Sequence, residues 1–158
     1  PEDWVIVVKK HVKAGAKDYA LNRLRPHAKV LLADNDIKSL DLVKNASAIA
    51  TITGTAGFEG FLNHKPVLMF GSYFYMDAPN VFKITDVDSL VSALDNICGE
   101  FKVTTLQEVK AFLYACQTLT SRAWVDNRYR SHCGISDEQN TETLSDLIVE
   151  KFKKWNNY

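Results

Sequence analysis

Five short apolar runs, set between stretches of helical period, constrain this chain more than any other feature of its sequence. Residues 4–8 (WVIVV) form the first run, and residues 30–32, 48–52 and 66–70 repeat its character, with residues 81–84 a weaker copy. Continuous apolar runs rich in β-branched residues are what strands buried on both faces of a parallel sheet require. Between the runs, Ile37, Leu40, Val43 and Ala46 fall on one helical face, and Val87, Leu90, Val91, Leu94 and Ile97 fall on another. Strands alternating with helices predict an α/β fold, a Rossmann-like parallel sheet of about five strands flanked by helices.

The second of these helices is the better bounded, with Asp86 placed as an N-cap and Gly99 as a C′ residue. Beyond it the strand pattern stops. Leu106, Val109, Phe112, Leu113 and Cys116 make one apolar stripe, and Leu144, Leu147, Ile148, Phe152 and Trp155 make another. Residues 127–140 between them are polar and contain Gly134, which reads as a loop or crossing segment. The expected organisation is one domain over residues 1–158, with an α/β core over 1–99 and a helical C-terminal extension over 100–158. Its 158 residues suffice for a single buried core.

Charge narrows the function classes. Lys plus Arg number 19 and Asp plus Glu number 19, so the chain has no basic excess to attract a nucleic acid. Cys98, Cys116 and Cys133 are widely spaced and include no C-x-x-C pair, which fits a reducing compartment and no metal site. The longest apolar runs fall far short of the roughly 20 residues that span a bilayer. A soluble, cytoplasmic protein is expected. The chain opens at Pro1 and runs almost at once into a strand, which suggests a piece of a longer polypeptide.

The chemistry concentrates in residues 51–60 (TITGTAGFEG), which follow an apolar strand and lead into a short helix ending near Asn63. Such folds bind ligands at the carboxyl ends of their strands. Gly54 and Gly57 allow close backbone approach, and the first amides of a helix favour an anion such as phosphate. Thr53 and Thr55 add hydroxyls that can cap the helix or donate to phosphate, and Glu59, one turn in, can accept from a ribose diol. The same residues would also serve as a tight strand-to-helix turn with a capping Thr and an exposed Glu, and spacing alone does not choose. Lys9-Lys10-His11 follows the first strand and is expected on the same sheet edge, where Lys9 can meet phosphate or sugar oxygens and His11 can move protons. A solvated basic loop is the plainer alternative. Residues 65–71 (KPVLMFG) place Pro66 at a strand entrance and Gly71 at its exit, and the following Tyr73 and Tyr75 can stack on a base or sugar or merely pack. His27, His64 and His132 have no partner at ligand spacing and read as surface or core histidines.

In order and spacing, V-V-K-K-H, T-I-T-G-T-A-G-F-E-G and K-P-V-L-M-F-G followed by Y-F-Y resemble the C-terminal domain of the capsular polysaccharide biosynthesis family, whose known members include transferases of Kdo from CMP-Kdo. The resemblance spans roughly residues 4–95. It implies one half of a two-domain bacterial glycosyltransferase of the GT-B kind, with a CMP- or UDP-linked sugar as donor substrate and no separate cofactor. It further implies Thr53, Gly54, Thr55 and Gly57 at the donor phosphates, Glu59 at the ribose, and Lys9 and His11 near the phosphate or sugar. The acceptor would be a saccharide or a lipid-linked saccharide, bound with the help of an N-terminal domain absent from this chain, and peripheral attachment to the cytoplasmic face of the inner membrane would follow. Val12 stands where the family usually has Pro, and Gly60 where it often has Ala. A nucleotide-sugar epimerase of the UDP-GlcNAc 2-epimerase kind shares the fold and a similar turn, and a non-catalytic binding module in a synthesis complex is the third alternative.

Overall fold

The computed structural model describes residues 3–10, 29–99 and 101–155. Among these residues are five strands, β1 (Ile6–Val8), β2 (Val30–Leu32), β3 (Ile49–Thr51), β4 (Val67–Met69) and β5 (Val81–Lys83). The helices among the described residues are α1 (Ser39–Asn45), α2 (Thr55–Leu62), α3 (Val87–Cys98), α4 (Leu106–Leu119), α5 (Arg130–Cys133) and α6 (Asp137–Trp155), with a 3₁₀ turn at Asn127–Tyr129. The fold is α/β with every strand pair parallel, as expected. One correction concerns the sheet. The five strands pair as two sheets, β1-β2 and β3-β4-β5, so the larger has three strands rather than five.

The three-stranded sheet holds the core of the first compact unit, which runs from Pro1 to Val109. Along β4 the side chains alternate between faces. Leu68 joins Ile84 and the Ala93 and Ile97 side chains of α3 in one buried cluster, with Trp4, Phe82, Leu90 and Leu94 around it. Val67, on the opposite face, comes within reach of Gly60 on α2. Helices thus cover both faces. Gly60 lets α2 lie close, because a Cβ there would stand 2.8 Å from Ile49 Cγ1 and 3.2 Å from Val67 Cγ2. The connection from β4 to β5 contains no helix; its Phe74 and Tyr75 pack with Phe58 of α2, at ring-centroid distances of 5.1 Å and 5.7 Å, and Tyr73 stands edge-on to both.

Helix ends follow local chemistry. Asp86 caps α3 as expected, accepting from Ser89 N–H at 2.7 Å while the Ser89 hydroxyl accepts from Asp86 N–H, a reciprocal capping box. Bonding from Ser89 N–H, then from the Ser89 and Thr85 side chains, holds the Asp86 carboxyl below its ordinary value. Gly99 does end α3, as its C-cap rather than the C′ residue and with φ −89°. A left-handed residue closes α2 instead. His64 (φ 60°) sends its N–H to Phe61 O, and Lys65 N–H reaches Gly60 O, the bond pair of a Schellman motif. The His64 ring then donates from Nδ1 to Thr104 O at 2.7 Å, and Asn80, also left-handed, donates to Lys102 O and Thr104 Oγ1.

Three further expectations are corrected. Residues 4–8 do not become a strand buried on both faces: Val5, Ile6 and Val7 are exposed, as is Leu31 of β2, because β1 pairs with β2 outside the three-stranded sheet. On α3 the inner face is Leu90, Ala93, Leu94 and Ile97, while Val87 and Val91 are exposed. In the second compact unit, from Lys110 to Tyr158, residues 127–140 hold a 3₁₀ turn, α5 and the start of α6 rather than a plain loop. Gly134 (φ 62°) breaks α5, and Ser136 with Gln139 starts α6 by a second reciprocal box. The core of that unit includes Trp124, whose backbone N–H and C=O both bond to the buried amide of Asn140.

Candidate functional site

Where β3 gives way to α2, the backbone turns through Ile52, Thr53 and Gly54, all exposed, before Thr55 begins the helix. Gly54 is the N-cap and has no side chain to satisfy the first helical amides. Its own N–H is taken by Thr51 Oγ1 at 2.9 Å, and its carbonyl accepts from Gly57 N–H at 3.1 Å and from the Tyr75 hydroxyl at 2.5 Å. Among the described residues, the N–H groups of Thr55 and Ala56 have no acceptor. A helix start that leaves two outer amides free toward solvent is suited to an anion, since amide dipoles and the helix dipole act together there.

Four residues on, and so on the same helical face as Thr55, stands Glu59. Its Oε2 is buried and, among the described residues, has no hydrogen-bond partner. A carboxylate oxygen withdrawn from water without a donor is costly, which makes it an acceptor in want of one. The free amides and the Thr53 and Thr55 hydroxyls thus lie at the exposed start of α2, with the buried Glu59 acceptor one turn further along the helix.

Gly57 is buried, and a Cβ there would lie 2.5 Å from the Tyr75 hydroxyl and 2.8 Å from Thr51 Cγ2, so its bareness serves packing. Gly71 sits where the turn passes β4, and a Cβ would meet Ile52 O at 2.8 Å and Thr53 Cγ2 at 2.9 Å. Thr53 and Thr55 do not cap the helix, for the cap is Gly54 and the hydroxyl that steadies it belongs to Thr51. Thr51 carried no role in the sequence; only its position three residues before the cap could have marked it.

The aromatic pair divides. Tyr75 is fully buried (0% exposed) and so cannot stack on a base, whereas Tyr73 is about half exposed and stands edge-on to it at 5.8 Å. Burial, with a smaller push from Tyr73, raises the Tyr75 hydroxyl above the ordinary phenol range. Lys9 follows β1, a strand of the two-stranded sheet rather than of the sheet carrying the turn, and its ammonium donates to the carbonyls of Asp34 and Asn35 at 3.2 and 3.3 Å. His11 and His27 lie outside the described residues. A shallow cavity of about 260 Å³ on the other side of the sheet is lined by Phe82, Lys83, Ser89, Ser92, Ala93 and Asn96, none of which the sequence had singled out.

Fold and site together define a parallel α/β domain with an exposed strand-to-helix turn at the carboxyl end of a strand. The family model for capsule polysaccharide biosynthesis proteins matches residues 1–80, a span that takes in the Lys9 segment, the turn and the aromatic loop, and the chain belongs to that family. No curated protein and no solved structure matches it. Among the described residues no helix is long and apolar enough to cross a membrane.

Proposed function

We propose that this chain is the donor-binding domain of a GT-B glycosyltransferase in capsule synthesis, holding a CMP- or UDP-linked sugar for transfer to a saccharide or lipid-linked acceptor. One observation carries this: among the described residues the Thr55 and Ala56 amides stand free at an exposed helix start, one turn before the partnerless Glu59 carboxylate oxygen. The donor phosphate sits on the two amides, with the hydroxyls of Thr53 and Thr55 as further donors beside Gly54. Glu59 accepts from the ribose hydroxyls, and the half-exposed ring of Tyr73 lies against the base or sugar. When the bond between sugar and phosphate breaks, negative charge grows on the leaving phosphate, and preorganised N–H donors stabilise that charge without a divalent cation being required. Lys9 uses two of its three ammonium donors on the Asp34 and Asn35 carbonyls and keeps the third for an anion. His11 is the group assigned to proton movement. The acceptor site and the rest of the machinery belong to a preceding domain, and the cytoplasmic face of the inner membrane is where such a transfer takes place.

Calorimetric titration of the chain with cytidine and uridine nucleotides tests this. Binding should be measurable and should weaken about tenfold or more in Glu59→Ala, the loss of one or two charge-assisted hydrogen bonds. Gly57→Val is the poorer probe because it would collide with Tyr75. Absence of binding at millimolar nucleotide would overturn the proposal.

A further inference from the structure

The peptide between Gly54 and Thr55 is planar and trans, so its C=O and N–H point in opposite directions. Whatever fixes the carbonyl therefore aims the amide. The Gly54 carbonyl is held at 2.5 Å by the hydroxyl of Tyr75, which is fully buried and braced by Phe58, Tyr73 and Phe74 at ring-centroid distances of 5.7, 5.8 and 5.3 Å. With the carbonyl drawn toward that buried hydroxyl, the Thr55 N–H is turned away from it, toward the exposed side of the bend. The neighbouring peptide is fixed as well, because Gly54 N–H is bound to Thr51 Oγ1.

We infer that Tyr75 is a positioning residue for the anion site, its buried hydroxyl setting the direction in which the first amide of α2 faces a bound phosphate. This rests on the nucleotide-binding reading above and adds to it a residue that touches no ligand. The loop joining β4 to β5 thereby governs a site built at the end of β3, and the absence of a side chain at Gly57 is explained: any Cβ would displace the hydroxyl from its place. Loss of the hydroxyl alone would leave the ring packing intact and the Gly54 carbonyl without its side-chain anchor, held by Gly57 N–H at 3.1 Å, so the peptide gains freedom to tilt and phosphate affinity should fall more than stability.

The test is CMP titration of the 158-residue chain followed by amide NMR, in the wild type, in Tyr75→Phe and in Tyr114→Phe as an exposed control. In the wild type, CMP should shift the Thr55 amide resonance strongly. Tyr75→Phe should bind CMP about tenfold more weakly, show a smaller Thr55 shift at saturation and melt within about 5 °C of the wild type, while Tyr114→Phe binds as the wild type does. Tyr75→Phe that melts lower yet binds CMP with full affinity would mean a purely structural tyrosine and would overturn the inference while leaving the binding reading intact. Failure of the wild type to bind CMP would sink both. Should Tyr75→Phe not fold, the wild type still decides, since binding that leaves the Thr55 amide unmoved contradicts the assigned direction.

Discussion

Two pieces of parallel sheet in one compact unit meet opposite fates. In the three-stranded sheet Val67 is 0% and Met69 1% exposed, whereas in the two-stranded sheet Ile6 is 61% and Leu31 56% exposed. The apolar runs behind them are nearly interchangeable in composition. Among the described residues, what separates them is coverage: β4 lies between two strands and has α2 on one face and α3 on the other, while β1 pairs with β2 alone. A parallel strand draws its stability from what lies over its faces more than from its own residues. The site lies on the well-covered piece, where a rigid scaffold can hold a turn open to solvent without distorting it.

The largest effect should come from emptying the covered side. Phe61 of α2 is fully buried, and Phe61→Ala should cost about 3–5 kcal/mol in chemical denaturation, by lost transfer energy plus the cavity left behind. Gly60→Ala comes next, at about 1–3 kcal/mol, because its Cβ must push into Ile49 and Val67. On the open side Val7→Ala should cost no more than about 0.5 kcal/mol. If Val7→Ala proved as damaging as Phe61→Ala, the contrast between the two sheets would be broken.

A smaller effect is expected at the cap of α3. The folded-state Asp86 carboxyl lies below its ordinary value of 3.8, so its contribution is present above that value and is lost as pH falls through the folded one. Asp86→Ala should therefore lower the melting temperature above the ordinary carboxylate range and flatten its decline as pH falls below that range. Asp126, held to about 2 chiefly by the side chain of Arg128, should add to the same acid decline in the second unit, over a window reaching lower in pH.

Much of this was legible in the sequence because it depends on local pattern. The strands at Val30–Leu32, Ile49–Thr51 and Val67–Met69 fall within their apolar runs, α2 ends at the Asn63 cap, and Asp86 caps α3. Other features depend on contacts between distant segments, which periodicity does not encode. The split into two sheets is one, and the bond from Tyr75 to Gly54 across 21 residues is another. The packing role of Gly57 is a third, since a glycine near a helix start shows its close neighbours only once the Tyr75 ring is located. Some signals were present and local. Ser136 with Gln139, and Thr105 with Glu108, are capping boxes written in the S/T-x-x-E/Q pattern, and they begin α6 and α4.

The central claim is that the bend between β3 and α2 seats the phosphate of a nucleotide. A crystal structure of the chain grown with CMP addresses it most directly. The account predicts a phosphate within hydrogen-bonding distance of the Thr55 and Ala56 amides, with the ribose hydroxyls on Glu59. A well-ordered nucleotide elsewhere, for instance in the cavity beside Ser92 and Asn96, with those two amides left to water, would contradict it.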